Sequence, residues 1–143
     1  TSRGLINVLA ARLVAAPGTA LIIDYGHSES AVGDTLQAVK GHRYHDPLAE
    51  PGETDITAHV DFAVLASVAE AVGAAVYGPV GQGMFLETLG IGIRAEALAA
   101  SAGSEQTVEI AAARRRLTDA GAMGSLFKAM AVTSPGLGIP PGF

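Results

Sequence analysis

The segment Thr19-Ala20-Leu21-Ile22-Ile23-Asp24-Tyr25-Gly26 decides the fold that we predict for this chain. Its apolar run, residues 20–23, is unbroken, and a Pro-Gly turn signal stands just before it. A continuous apolar run between turn signals is typical of a strand buried on both faces, as in parallel sheets. Ligands of open α/β sheets bind beyond the carboxyl ends of the strands. The sequence therefore predicts a ligand site at Asp24, Tyr25 and the polar loop that follows them.

The composition narrows the class of protein. The chain has 143 residues, 49% of them hydrophobic, which is enough for one domain with a real core. The absence of cysteine excludes disulfides, thiol nucleophiles and thiolate zinc sites. A net charge of −5 argues against binding of nucleic acid, which depends on clustered Lys and Arg. No apolar run reaches the roughly 18 residues of a membrane span.

The first residues already show a helical pattern over residues 5–15, without an initiator Met or the build of a signal peptide. An α/β domain usually opens with a strand, so we expect a chain that starts inside a fold. Arg outnumbers Lys, a balance that we associate with GC-rich bacterial genomes. We therefore expect a bacterial protein, and the location that we expect for it is the cytoplasm.

After the first strand, helices and strands continue to alternate. Asp55 or Thr57 is expected to cap a helix that carries Asp61 in its first turns and ends at Gly73. A short strand follows and completes a second α–turn–β unit. The remaining predicted elements are that strand at 74–79, helices at 82–89, 91–100 and 104–117, a turn at 122–125 and a last strand at 126–133.

Residues 26–57 are rich in Gly, Pro, His, Asp and Glu and show no sustained period. They predict a long loop with one short extended piece at 32–39 and turns at 46–47 and 50–53. Long loops in compact domains are usually functional or disordered, and this one leaves the end of a buried strand. We therefore expect a functional loop.

All four histidines lie in this region, at His27, His42, His45 and His59, among several aspartates. Three interpretations stay open. His42-x-x-His45 has the spacing of metal ligands. Gly-His-Ser-Glu-Ser, residues 26–30, resembles the G-x-S-x-G nucleophile elbow but ends in Ser30 instead of Gly. The third interpretation is a pocket-lining loop whose Asp, His and Tyr side chains contact a ligand or act as a base.

A set of sequence blocks carries a family resemblance. They are, in order, Asp24-Tyr25-Gly26-His27, Gly33-Asp34-Thr35-Leu36-Gln37-Ala38, Pro51-Gly52, Asp55-Ile56-Thr57-Ala58-His59-Val60-Asp61-Phe62, Gln82-Gly83, Phe85-Leu86, Leu89-Gly90-Ile91, Arg116-Leu117, Met123-Gly124 and Phe127-Lys128. Together they resemble the C-terminal part of the MidA family of S-adenosylmethionine-dependent methyltransferases, which includes a mitochondrial assembly factor of respiratory complex I. The resemblance covers residues 20–143.

The resemblance implies an α/β fold, the C-terminal portion of a Rossmann-like methyltransferase sheet. Its last three strands would be residues 20–24, 74–77 and 126–133, the final one antiparallel, with a helical excursion before it. Residues 1–143 would be the C-terminal part of a single methyltransferase domain. The family's cofactor site lies mainly in an N-terminal half that is absent here. No cofactor-binding residue is therefore expected in this chain, and the chain alone should be inactive.

The resemblance also implies roles for individual residues. Asp55, His59 and Asp61 would be catalytic and would orient or deprotonate an arginine guanidinium, since carboxylates are its natural partners. Substrate-binding residues would be Tyr25, His42, His45 and Gln82, with no metal. The cofactor would be S-adenosylmethionine. The partner would be a protein substrate, with a complex I subunit as a candidate and a homodimer as a compatible assembly. The alternatives are a non-catalytic assembly or scaffold protein and a metal-dependent hydrolase that uses the His/Asp loop.

Overall fold

Six helices and seven strands make up the chain, and the computed structural model describes all residues, 1–143. In chain order they are α1 (Ser2–Ala15), β1 (Thr19–His27), β2 (Gln37–Lys40), β3 (Arg43–His45), β4 (Asp55–Thr57), β5 (Val60–Asp61), α2 (Phe62–Val72), β6 (Ala75–Gly81), α3 (Gln82–Thr88), α4 (Ile91–Ala99), α5 (Ser104–Thr118), α6 (Met123–Leu126) and β7 (Phe127–Thr133). The predicted helices are confirmed to within a few residues, except that α2 begins later than predicted. Residues 122–125, predicted as a turn, mostly belong to the short helix α6.

The main sheet has the strand order β5-β1-β7-β6. The last strand, β7, is antiparallel to both of its neighbours, β1 and β6. Since both neighbours run opposite to β7, they run in the same direction as each other. The mixed α/β class and the antiparallel final strand are therefore confirmed.

The prediction that β1 is buried on both faces is wrong. Leu21 and Ile23 are 51% and 42% exposed, whereas Ala20 and Ile22 on the other face pack against the core. The main partner of β1 is also antiparallel, because its parallel pairing with β5 involves only Gly26 and His27. A continuous apolar run is compatible with a strand buried on one face or on both faces. The sequence therefore could not distinguish these two kinds of strand. From Thr19 to Tyr25, β1 is paired along one edge only.

Helices α1 and α2 pack on one face of the main sheet and form the core with it. The buried cluster comprises Ile6, Ala10, Leu13, Phe62, Leu65, Ala69, Ala74, Met130 and Val132. Phe62 and Met130 are completely buried. Full burial of one such side chain contributes about 1.5–3 kcal/mol, so this cluster fixes α2 on the sheet.

Helix α2 begins later than predicted. Asp61 is its N-cap, and its Oδ1 accepts a hydrogen bond from the Val64 N–H at 3.0 Å. The predicted caps, Asp55 and Thr57, lie in β4 instead, because the chain still forms β4 and β5 before it turns into the helix. Gly73 ends α2 in the left-handed conformation, as predicted.

The region predicted as a long loop contains a second, three-stranded antiparallel sheet of order β3-β2-β4, which we call the insert sheet. Gly41 and His42 connect β2 to β3 with φ angles of 56° and 61°, as a tight type I′ hairpin requires. The turns predicted at 46–47 and 50–53 are confirmed by backbone hydrogen bonds. Strands of three or four residues are too short to show a period, which is why the sequence did not predict this sheet.

A helical layer made of α3, α4, α5 and α6 precedes β7. Arg114 on α5 forms a salt bridge with Glu87 on α3 at 3.1 Å, while Arg115 and Arg116 lie in the exposed last turn of α5. Arg115 and Arg116 therefore form a solvated basic face at the C-terminus of α5, where positive charge complements the helix dipole. None of the helices is long and apolar enough to cross a lipid bilayer.

Candidate functional site

A cleft of about 880 Å³ lies where the carboxyl end of β1 and the start of β7 meet the insert sheet. Its volume is typical of small-molecule and side-chain binding sites. Its lining residues are Tyr25, Asp34, Thr35, Leu36, Gln37, Val39, His42, Arg43, Tyr44, Thr57, His59, Leu126 and Phe127. The predicted location, beyond the end of β1, therefore does hold a cleft.

Three rings form what we call the aromatic floor of the cleft: Tyr25, His59 and Phe127. Tyr25 and Phe127 face each other across the β1–β7 ladder, with ring centroids 5.6 Å apart and planes at 77°. The His59 ring lies 5.8 Å from Tyr25 at 71°. Edge-to-face contacts of this kind stabilise aromatic pairs beyond their buried area and fix the orientation of each ring. Tyr25 is therefore held from two sides.

The register of the insert sheet decides which of its side chains face the cleft. Directly paired residues of an antiparallel ladder project from the same face. Gln37 pairs with Thr57 and Val39 with Tyr44, and all four line the cleft. His45 pairs with Ala38, so it projects from the opposite face.

His59 is positioned by both sheets. It directly precedes β5, which pairs with the end of β1, and its backbone N–H donates to the Thr35 hydroxyl at 3.2 Å. Next to Thr35, the Asp34 carboxylate accepts the Leu36 N–H at 2.9 Å and shapes the chain into a turn. The segment that enters β2 is thereby tied against the aromatic floor.

Asp61 stabilises the frame beside the cleft but does not line it. Its carboxylate caps α2 and also accepts the Ser30 hydroxyl at 2.7 Å, and the His27 ring lies 3.7 Å away. Partial burial alone would raise the pKa of Asp61, but the hydrogen bonds from Val64 and Ser30 and the nearby His27 outweigh it. The net pKa lies below its ordinary value.

Three further predicted site residues lie outside the cleft lining. Asp55 shares the cleft-facing side of the insert sheet through its pairing with Val39, but it is exposed and does not line the cleft. The His45 ring lies 2.9 Å from Glu50, whose pKa is lowered by the hydrogen bonds from Lys40 and then from His45. The structure explains His45 as part of this surface cluster.

Gln82 is almost fully buried, and its Nε2 donates to the Leu117 carbonyl oxygen at 2.9 Å, which joins α3 to the end of α5.

Of the seven predicted site residues, the cleft brings together Tyr25, His42 and His59. Sequence reasoning missed Asp34, Tyr44 and Phe127 as cleft residues. Phe127 follows from the β1–β7 register, which a sequence alone does not reveal.

The other chemical interpretations of the histidine-rich region find no geometric support. No group of three or more His, Cys, Asp or Glu side chains is arranged to hold a metal ion. His42 lines the cleft, whereas His45 projects from the opposite face of the insert sheet. The nucleophile-elbow interpretation is wrong, because no helix follows Ser28.

Comparison with known proteins identifies the family. The family model described as “Putative S-adenosyl-L-methionine-dependent methyltransferase” matches residues 1–80. The chain is 42% identical over 128 residues to the mitochondrial protein arginine methyltransferase NDUFAF7 homolog of Drosophila melanogaster, covering 89% of this chain and 29% of that protein. It is 42% identical over 99 residues to NDUFAF7 of Mus musculus, covering 69% and 22%. The chain thus spans less than a third of the length of these curated relatives.

Two solved structures from Burkholderia thailandensis share the fold. One is 30% identical with a TM-score of 0.84 and covers 99% of this chain and 39% of its own. The other, bound to S-adenosyl-homocysteine, is 31% identical with a TM-score of 0.82 and covers 99% and 38%. Because the family model matches more than half of the chain and the resemblance extends to the fold, this chain belongs to the family of S-adenosyl-L-methionine-dependent methyltransferases that the model describes.

Proposed function

We propose that this chain is the substrate-side part of a protein arginine methyltransferase. The observation that carries the proposal is the cleft at the carboxyl end of β1, with its aromatic floor, in a chain whose relatives bear that activity in their names. A complex I subunit stays the candidate substrate that the family resemblance implies.

We further propose that residues 1–143 form the C-terminal part of a Rossmann-like domain whose cofactor-binding part precedes them. The unpaired edge of β1 and the exposed Leu21 and Ile23 support this, since a buried sheet would cover all three features. The two solved relatives are more than twice as long as the aligned part, which gives room for the missing strands.

His59 is the residue best placed to act on a substrate nitrogen. S-adenosylmethionine, when bound, supplies an electrophilic methyl group. A guanidinium nitrogen that gains this methyl must release one proton, and an imidazole is a usual acceptor. The His59 ring makes no hydrogen bond within the chain, so its nitrogens are available, and Tyr25 fixes its orientation. Tyr25 and His42 would contact the substrate, and Asp55 would lie at the rim.

The test measures cofactor binding and methyl transfer separately. By titration calorimetry, we expect the full-length protein to bind S-adenosylhomocysteine and this chain alone to bind none. In a transfer assay with labelled methyl groups, His59→Ala in the full-length protein should lower the rate at least about 100-fold, the usual contribution of a positioned acid or base. His45→Ala, on the opposite face of the insert sheet, is the matched control and should stay within about twofold.

Strong cofactor binding by this chain alone would contradict the proposed division of the domain. Equal methyl-transfer rates for His59→Ala and His45→Ala would contradict the role of His59 as the proton acceptor. A full-length protein that binds S-adenosylhomocysteine but labels no arginine would favour the alternative of a non-catalytic assembly protein.

A further inference from the structure

Asp34 is the only carboxylate among the residues that line the cleft. Its Oδ1 accepts the Leu36 N–H at 2.9 Å, while Oδ2 has no hydrogen-bond or ion-pair partner within the chain. An ionised carboxylate offers about four acceptor positions, so most of the accepting capacity of Asp34 remains free. A charge of this kind, held by a turn at the mouth of a cleft, is available to a ligand.

Asp34 is also fixed relative to the aromatic floor. The next residue, Thr35, accepts the backbone N–H of His59, and His59 contacts Tyr25. A short chain of contacts therefore links the carboxylate to the floor. Arg43 is the one permanent cation among the lining residues; its pairing with Lys40 directs its side chain to the opposite face of the insert sheet, and it forms no ion pair with Asp34. Asp34 is thus not neutralised from within the chain.

Together these features match the chemistry of one side chain. A guanidinium is planar, weakly hydrated and always charged, so it stacks on aromatic rings and donates hydrogen bonds to a carboxylate. Tyr25 and Phe127 supply the rings and Asp34 supplies the carboxylate. A neutral isostere such as citrulline would stack equally well but would gain no charge-assisted hydrogen bond.

We propose that Asp34, Tyr25 and Phe127 form the subsite that holds the arginine side chain of the substrate, with Asp34 as the residue that selects the cation. This rests on the proposed function, because it assigns the substrate side chain of the same cleft. Sequence reasoning placed that role on Asp55, His59 and Asp61, of which only His59 lines the cleft.

The experiment uses the full-length protein and a matched pair of variants. Asp34→Asn removes the charge but keeps an amide oxygen for the Leu36 N–H. Asp46→Asn is the control, because Asp46 accepts the Leu48 N–H at 2.8 Å in the same kind of turn but does not line the cleft. The ligands are a ten-residue peptide with one central arginine and its citrulline analogue, titrated in the presence of S-adenosylhomocysteine.

We expect the wild-type protein and Asp46→Asn to prefer the arginine peptide about tenfold, and Asp34→Asn to bind both peptides equally. In methyl transfer, Asp34→Asn should raise KM about tenfold and change kcat by less than about threefold. Phe127→Leu, which keeps an apolar side chain but removes the ring, should weaken arginine binding about threefold.

Each other outcome decides a separate point. A wild-type protein without preference for arginine over citrulline overturns the subsite, and so does an Asp34→Asn variant that behaves like Asp46→Asn while methyl transfer is intact. A preference for arginine that Asp34→Asn abolishes, in a protein that transfers no methyl group, supports the subsite and overturns the proposed function instead.

Discussion

Asp61 and His59 are two residues apart in sequence but have different roles in the structure. The Asp61 carboxylate accepts hydrogen bonds from the N-terminus of α2 and from the Ser30 hydroxyl. The His59 ring, in contrast, faces the cleft without a hydrogen-bond partner. Sequence reasoning grouped the two residues because they share a motif. At the scale of single residues, hydrogen-bond partners separate a residue that supports the site from one that can react.

The cap at Asp61 leads to a prediction about pH. Asp61→Ala should lower the free energy of unfolding by about 1 kcal/mol at pH 7, the usual cost of a lost N-cap. The folded-state pKa of Asp61 lies below its unfolded value near 3.9, so its charge stabilises the fold fully above that pH. The contribution disappears as the pH falls through the folded-state pKa. Urea unfolding of wild type and Asp61→Ala at pH 7 and pH 2.5 measures the difference in the free energy of unfolding at each pH.

Asn is also a good N-cap, so Asp61→Asn should keep most of the stability at pH 7 and show a flatter pH profile than wild type. If Asp61→Ala loses the same stability at both pH values, the carboxylate charge has no role in the cap.

At the scale of elements, the approach of β1 to β5 decides where His59 lies. A Cβ added at Gly26 would overlap the carbonyl oxygen of Val60, so only glycine lets the two strands pair. Gly26→Ala should therefore lower the free energy of unfolding by about 2 kcal/mol, as overpacking of a close contact usually does. Gly33→Ala is the control, since nothing lies within 4 Å of its added Cβ.

Gly33→Ala should stay within about 0.5 kcal/mol of wild type in the same urea unfolding experiment. Equal stability of the two alanine variants would show that β1 and β5 can separate without cost.

The elements also show how far the sequence could predict this fold. The helices were predictable because their apolar spacing extends over several turns, and the resemblance identified the family correctly. The insert sheet was not predictable, because its strands are too short to show a period. The sequence predicted the position of the cleft and three of its lining residues, Tyr25, His42 and His59. It did not predict Phe127, which reaches the cleft only through pairing with Tyr25, a contact between strands distant in sequence.

At the scale of the whole molecule, the open edge of β1 predicts a difference between this chain and the full-length protein. In this chain the amides of residues 19–25 that point away from β7 are unpaired, so about half of them should exchange with solvent rapidly. In the full-length protein an added strand should protect nearly all of them. Hydrogen exchange followed by NMR measures the protection of each of these amides.

Strand β7 is the internal control, because it is paired on both sides within this chain and should be protected in either form. Equal protection of residues 19–25 in the two forms would contradict the proposal that a further strand covers β1.

The antiparallel pairing of β1 with β7 also constrains how the protein is made. Gly18 and Ser134, joined by a hydrogen bond just beyond that ladder, are 116 residues apart in sequence. At about 5–20 residues per second, a ribosome needs on the order of ten seconds between emitting the first partner and the second. During that interval the nascent apolar segment at residues 20–23 lacks its β7 strand partner, which makes it a natural target for chaperones that bind emerging hydrophobic stretches.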